Sequence, residues 1–307
     1  MLRTHTCGEL NKALVDKEVT LSGWVDTVRN YGKLAFVDLR DRYGITQVIL
    51  SAKDIPDIDK LRNEDILKIT GKVKSRLEGK ENKDISTGDI EVKASSLKIL
   101  SKSKDLPFEI NKDIEVGEEL RLKYRYLDLR NPGMARNMKM RHDTILFLRN
   151  FLHKEKFLEI TTPMLTKSTP EGARDYVVPS RLHKGKFYAL PQSPQQYKQL
   201  LMCAGIDKYV QMAPCFRDED ARAHRAPGEF YQMDLEMSFV EQDDILELVE
   251  GLMIKMVEEL YPEKKITKIP FPRIKHADAI KEYKTDRPDI REDKKDDNEL
   301  GFCWIVD

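Results

Sequence analysis

Cysteine is scarce and scattered. The four residues Cys7, Cys203, Cys215 and Cys303 form no Cys-x-x-Cys pair, which argues against a disulfide framework or a cysteine-rich zinc site and points to a reducing compartment. The start, "MLRTHTCGELNKALVDKEV", lacks the apolar core of a secretory signal, and no run approaches the length of a membrane span. A cytoplasmic protein without a membrane partner is the expectation. Net charge is missing too: Lys+Arg and Asp+Glu are equal at 53 each. Zero net charge neither requires nor excludes a polyanionic partner, so the distribution of charge decides. Residues 66–104 hold ten Lys or Arg against five Asp or Glu, a modest basic face. There is no internal repeat, and the only biased tract is the charged "REDKKDDNE".

What is present suffices for two domains: 307 residues, 40% of them hydrophobic. Residues 1–104 read as β-rich. "EVTLSGWV", "LAFVDLRD", "ITQVIL", "ILKITGKVK" and "IEVKASSLKIL" are short, branched and partly alternating, with turn signals between them. A helical stretch at about 57–64 separates the third and fourth, so a five-stranded OB-type barrel is predicted. Residues 105–133 are predicted to be an irregular linker. From 134 the apolar period becomes helical, through Ile145, Leu148, Phe151 and Leu152. A strand follows in "FLEITTPML", then a helix at about 194–205, two long strands at about 208–217 and 229–239, and the helix "DDILELVEGLMIKMVEEL". The overall expectation is α+β: the barrel, then a largely antiparallel domain over 134–307.

The chemistry concentrates in "CFRDEDARAHRAPGEFYQMDLEMSF", residues 215–239, where Arg217, Arg222 and Arg225 stand among six carboxylates. A nucleotide phosphate is matched by the planar arginine fork. Adenine is matched by an aromatic face and an acceptor beside its amino group. Arg217, Glu219, Arg225 and Phe230 supply these groups; alone, "FRDE" reads more readily as surface charge on a hairpin.

Four spaced motifs together give a resemblance. "FLEITTPML" resembles motif 1 of the class II aminoacyl-tRNA synthetases, with its proline at Pro163. The 215–239 stretch resembles motif 2, and "TPEGARDY" and "LPQSPQQYKQLL" resemble the amino-acid signatures of the bacterial aspartyl type. The resemblance runs through nearly the whole chain. It implies a two-step reaction, activation of L-aspartate by ATP with Mg²⁺ and transfer to tRNA-Asp, by a homodimer joined through motif 1.

The resemblance also assigns residues. Arg217, the catalytic residue, holds the α-phosphate and the aspartate carboxylate. Asp218, Glu219, His224, Arg225 and Phe230 serve ATP, with Glu219 at the adenine amino group and Phe230 under the ring. Glu171, Ser193, Gln195, Lys198, Gln232 and Asp234 form the aspartate pocket, Lys198 facing the substrate's side-chain carboxylate. On the barrel, Phe36 stacks on an anticodon base while Arg29, Gln47, Arg76 and Glu91, with Lys74 beside them, complete the face. Tyr31 and Gly79 occupy positions where relaxed enzymes, which also charge tRNA-Asn, differ from strict ones. No protein-held metal is expected.

The chain departs from the pattern in places. Its motif 2 loop is one residue longer, with Ala226 at a usually polar position. The insertion that normally follows "DRPDIR" is missing, and motif 3 with its arginine is absent. The apolar ending "ELGFCWIVD" suggests a cut chain whose last strand pairs with something outside it. An asparaginyl-tRNA synthetase and a non-catalytic tRNA-binding fragment are the rival readings. The "QSPQQYK" setting of Lys198 argues against the first.

Overall fold

The structure is a computed structural model that describes residues 1–55, 58–110, 116–169, 171–220 and 228–307. Two compact units emerge, Met1–Asn137 and Met138–Asp307.

The first unit is built on a closed barrel of β1 (Glu18–Tyr31), β2 (Leu34–Arg40), β3 (Ile45–Ser51), β4 (Ile66–Ser75) and β5 (Ile90–Ser101), ordered β1-β2-β3-β5-β4. Along each strand alternate side chains turn inward. Val19, Leu21, Val25, Val37, Leu39, Val48, Leu50, Leu67, Ile69, Val73, Ile90 and Val92 fill the interior, nearly all at zero exposure. A small barrel must bend its strands sharply, and bulges do this in β4 and β5, one of them between Thr70 and Gly71. A Cβ on Gly71 would lie 2.4 Å from the Lys93 carbonyl oxygen, so only glycine fits there.

The region predicted as an irregular linker is partly helical: α1 (Glu118–Lys123) and α2 (Arg125–Asp128) precede α3 (Pro132–Lys154). Paired charges explain the difference. Asp128 accepts from both Arg121 and Arg125 within this stretch, and Arg130 reaches Glu64 of the barrel at 2.6 Å while its guanidinium covers the Trp24 ring. A charged segment reads as irregular when its ionic partners lie one helical turn away or on another element. The helix predicted at 57–64 shrinks to a single 3₁₀ turn at Ile58–Lys60.

In the second unit, β6 (Leu158–Glu159) runs parallel to β9 (Lys208–Phe216), which pairs antiparallel with β10 (Glu229–Met237). Between β6 and β9 lie the hairpin β7 (Val177–Pro179) and β8 (Phe187–Ala189) and the helix α4 (Gln195–Cys203). The helix α5 (Gln242–Leu260) follows, its start fixed by a capping box between Glu241 and Asp244. "FLEITTPML" pairs over only two residues, and Pro163 has no N–H to extend the ladder.

The rest comprises β11 (Lys265–Ile266), β12 (Arg273–Lys275), α6 (His276–Tyr283), β13 (Glu299–Leu300) and β14 (Trp304–Val306). The final apolar run finds its partner inside the chain: β14 lies parallel to β12, and the Trp304 indole donates to Glu250 of α5 at 3.0 Å. One edge of this strand is thus paired within the chain. Two-residue and three-residue parallel pairs of this kind carry too little periodicity to be read from sequence.

The period of two sorts the β9–β10 hairpin. Val210, Met212, Met233, Leu235 and Met237 face Leu148, Phe151 and Leu152 of α3 and Leu248 and Leu252 of α5. Tyr209, Gln211, Ala213, Cys215, Phe230, Gln232, Asp234 and Glu236 therefore share the opposite face, as the pairs Phe230–Cys215, Gln232–Ala213, Asp234–Gln211 and Glu236–Tyr209 require.

Candidate functional site

On that polar face Lys198 of α4 is nearly buried between two carboxylates. Its Nζ lies 3.0 Å from Asp234 Oδ1 and 3.2 Å from Glu236 Oε2. An ammonium has three N–H donors, so one is left for a ligand. Burial works against the Lys198 charge, but the Asp234 and Glu236 carboxylates outweigh it and hold its pKa above the ordinary lysine range. Burial pushes the Asp234 carboxyl up from its ordinary value, Lys198 opposes this, and the Glu236 charge adds to it. The second oxygen, Asp234 Oδ2, is buried with no partner in hydrogen-bond geometry; the Tyr209 hydroxyl donates to Gln211 Oε1 at 2.8 Å and stands near enough to Asp234 to lower its pKa somewhat. A buried, unpaired carboxylate oxygen is an unfavourable arrangement that a cationic ligand group would relieve.

Glu171 and Ser193 meet at the rim, where the Ser193 hydroxyl donates to Glu171 Oε2 at 2.5 Å. Gln195 opens α4 one turn before Lys198, on the same helical face. Gln232 accepts from the Cys215 thiol at 3.1 Å. Burial, together with the Asp234 and Glu171 charges and against the pull of Arg217, pushes that thiol up to about 11, so it stays protonated and donating.

Arg217 leaves the end of β9. Its N–H donates to Gly228 O at 2.7 Å and its Nε to Gln192 O at 3.3 Å. Its guanidinium carbon stands 5.1 Å from the centre of the Phe230 ring. Asp218 and Glu219 follow: the Asp218 N–H donates to Arg174 O and the Glu219 N–H to Arg217 O, each at 2.9 Å. Glu219 is exposed. His224 and Arg225, with Arg222 and Ala226, lie outside the described residues.

Several residues that shape this site were not singled out from the sequence. Gln192 is 1% exposed, accepts from the Ala173 N–H and donates to Ala173 O and Asp175 Oδ1, tying the Glu171 loop to the strand that leads into α4. Arg174 ties the same loop to β9, its Nε donating to Asp218 O at 3.1 Å. Gln211 accepts from both the N–H and the hydroxyl of Thr162. The alternation in "YVQMAPC" was the available signal for Gln211 and Cys215; for Gln192 and Arg174 it was their place in the motifs "LPQSPQQYKQLL" and "TPEGARDY".

The barrel carries a separate polar row. Ala35 and Val37 point inward at zero exposure, so Phe36 between them points outward. Beside it Arg29 grips Asp38 with two N–H groups at 2.7 and 3.1 Å and reaches Gln47 Oε1 at 3.3 Å, while Gln47 donates to Glu91 at 3.0 Å. The Asp38 contact holds the Arg29 pKa above its ordinary range against partial burial. Asp38 was not anticipated, although its place two residues after Phe36 puts it on the same face. Tyr31 stands edge-on to Phe36, with centroids 5.7 Å apart. Arg76 Nε donates to Ile90 O at 3.1 Å and its buried Nη2 has no partner. Lys74 pairs with Asp16. Gly79 takes a φ of +77°, a turn geometry with open space at the Cβ position.

Residues 19–100 match the OB-fold nucleic acid binding domain, and residues 117–307 match the tRNA synthetases class II (D, K and N). An aspartate--tRNA(Asp/Asn) ligase of Pelagibacter ubique is 51% identical over 291 residues, 94% of this chain and 49% of the relative. One from Dehalococcoides mccartyi (strain CBDB1) is 53% identical over 295 residues, 95% of this chain and 49% of its own length. The chain thus spans about half the length of the curated relatives it matches. Among solved structures, asparaginyl-tRNA synthetase from Pyrococcus horikoshii with asparaginyl-adenylate aligns at a TM-score of 0.79 and 26% identity, over 94% of this chain and 69% of that one. A putative aspartyl-tRNA synthetase from Leishmania major aligns at 0.75 and 28%, over 85% and 53%. In sequence and in fold, the chain belongs to the class II tRNA synthetases of the D, K and N group.

Proposed function

We propose that this chain carries the anticodon-reading barrel and the aspartate-binding face of an aspartate–tRNA ligase that charges both tRNA-Asp and tRNA-Asn. The observation that carries the reading is the Lys198–Asp234–Glu236 cluster with its unpaired Asp234 Oδ2. Aspartate brings one ammonium and two carboxylates. Its ammonium relieves Asp234 Oδ2, and its side-chain carboxylate takes the free N–H of Lys198. Asparagine would bring a neutral amide there, a weaker acceptor for that N–H than a carboxylate in a desolvated pocket.

ATP is the co-substrate. Arg217 lies where its fork can neutralise the α-phosphate while the substrate α-carboxylate attacks the phosphorus and pyrophosphate leaves. Phe230 offers an aromatic face for adenine, and Glu219 is the acceptor for its amino group. By the motif 2 resemblance, His224 and Arg225 are the groups for the outer phosphates. Mg²⁺ would come with those phosphates and help neutralise their charge. In the second step the terminal ribose hydroxyl of tRNA attacks the mixed anhydride and AMP leaves. Positioning and charge neutralisation carry both steps.

The barrel row supports anticodon reading. Phe36 supplies a stacking face and Arg29, Gln47 and Glu91 a line of donors and acceptors. Gly79 has no side chain with which to reject a base, and Tyr31 stands over Phe36, an arrangement that favours the relaxed tRNA specificity named in the relatives. Exposed apolar side chains at Met138, Leu146, Leu158 and Leu165, at 49–55% exposure, support a homodimer through the motif 1 segment. Among the described residues no helix is long and apolar enough to cross a membrane. The test is charging of the two tRNA transcripts side by side by the whole protein. Comparable rates are expected; a preference of several hundred-fold for tRNA-Asp, about 3–4 kcal/mol, would overturn the relaxed specificity.

A further inference from the structure

From Tyr176 to Ile206 the chain contains no Asp or Glu, although these residues number 53 in 307. Within that stretch the β7–β8 hairpin carries Arg181, His183, Lys184 and Lys186 at its tip, and every residue from 181 to 188 is exposed. Among the described residues none of these side chains meets a carboxylate. The tip is nevertheless a formed turn. Ser180 N–H donates to Lys186 O at 2.9 Å, Lys186 N–H to His183 O at 3.1 Å, and Gly185 takes a φ of +75°.

The hairpin grows out of the rim of the candidate aspartate site. Its inner end is fixed by the Thr166–Ala189 bridge and by Leu190 N–H donating to Tyr176 O at 2.9 Å. The chain on one side continues to Glu171 and Arg174, and on the other to Gln192 and Ser193. Three residue pairs at about 3.3 Å each place the tip roughly 10 Å beyond that rim. Val177 and Val178, on opposite faces of the ribbon, are both exposed, at 56% and 37%. Phe187 on β8 is exposed at 58%.

We propose that the β7–β8 tip is a docking surface for the phosphates of the RNA arm whose 3′ end enters the site. This rests on the tRNA-charging reading above and extends it to a second RNA contact, carried by the second unit rather than by the barrel. Charge complementarity favours RNA over a second copy of the chain. Unpaired arginine and lysine match phosphate oxygens, whereas two such tips brought together would repel. Phe187 adds an exposed ring next to the cations, suited to an unpaired base.

The test uses the 307-residue chain and two short RNAs, an acceptor-arm hairpin with a single-stranded 3′ end and an anticodon-arm hairpin, with binding read by fluorescence anisotropy across a salt series. For R181A/K184A/K186A the affinity for the acceptor arm falls roughly tenfold at low salt and the slope of log K against log salt drops by about 2. Anticodon-arm binding stays unchanged, and R181K/K184R/K186R keeps acceptor-arm affinity. Unchanged acceptor-arm binding in the alanine variant overturns the proposal while leaving the tRNA-charging reading intact. So does a change in oligomeric state by light scattering without a change in RNA affinity, which would make the hairpin a subunit contact. If the unaltered chain binds neither RNA, the tRNA-charging reading falls and this proposal with it.

Discussion

The barrel and the β9–β10 hairpin solve the same problem, a sheet with two faces, in opposite ways. The barrel turns one face of every strand into a closed interior, with fourteen buried apolar residues on the strands among those described, leaving the outer face for Phe36, Arg29, Gln47 and Glu91. The hairpin has four buried apolar residues behind it, and its other face holds Lys198, Asp234 and Tyr209 nearly out of water. The groups proposed to read the anticodon are therefore partly buried but stand outside the barrel core. The hairpin's polar groups are part of its own packing, so binding chemistry and folding energy share the same residues there.

Lys198→Ala breaks the comparison most severely. Removing the cation leaves Asp234 and Glu236 facing each other at low exposure, an imbalance of about 3–5 kcal/mol. In the whole protein, aspartate KM should rise far more than ATP KM. In the chain, urea unfolding followed by probes in each unit should show the second unit weakened and the barrel untouched. Unchanged aspartate kinetics would remove Lys198 from the pocket.

Leu67→Ala probes the other side. Leu67 has zero exposure inside the barrel, and its truncation should cost about 2–5 kcal/mol through the cavity left behind. The loss should appear in the barrel transition alone. Equal weakening of both units would show that they unfold as one.

These outcomes bear on what was legible beforehand. The barrel was readable because closure imposes strict alternation, and Val19, Leu21, Val37, Leu39, Val48 and Leu50 all obey it. The hairpin was readable for the same reason, with motif spacing adding an expected ligand face. The helices in 118–128 were not, because Arg121, Arg125 and Asp128 sustain them by ion pairing rather than by an apolar stripe. Gln192 and Arg174 lie inside the quoted motifs "LPQSPQQYKQLL" and "TPEGARDY", but their contacts, Gln192 with Ala173 and Asp175 and Arg174 with Asp218, span long sequence separations and were not readable. Lys198 and Asp234 were both expected in the pocket from their motifs, but Glu236 as the second carboxylate beside Lys198 came only from the structure.

Phe36→Ala sharpens the contrast from the barrel side. A half-exposed ring adds little to the core, so barrel stability should change by less than about 1 kcal/mol, while anticodon-arm affinity falls by about 1–3 kcal/mol of lost stacking. Calorimetric melting and RNA titration on the same sample separate the two. A large loss of stability with unchanged RNA affinity would return Phe36 to a packing role.

The smallest effect concerns the thiols. Cys203 is exposed, whereas Cys215 is buried and protonated up to about pH 11. Alkylation of the folded chain at pH 8 should label Cys203 and spare Cys215. Because the folded chain holds the Cys215 proton more tightly than the unfolded chain, its contribution to stability is full below the ordinary thiol range. It is lost as pH rises toward 11. Rapid labelling of Cys215 at pH 8 would mean that the hairpin face opens more readily than its packing implies.

The most direct test of the account is amino-acid-dependent ATP–pyrophosphate exchange by the whole protein, with aspartate and asparagine compared. A pocket built on Lys198, Asp234 and Glu236 predicts exchange with aspartate and a kcat/KM for asparagine lower by about a thousandfold or more. Asparagine supporting exchange as well as aspartate, or better, would contradict it.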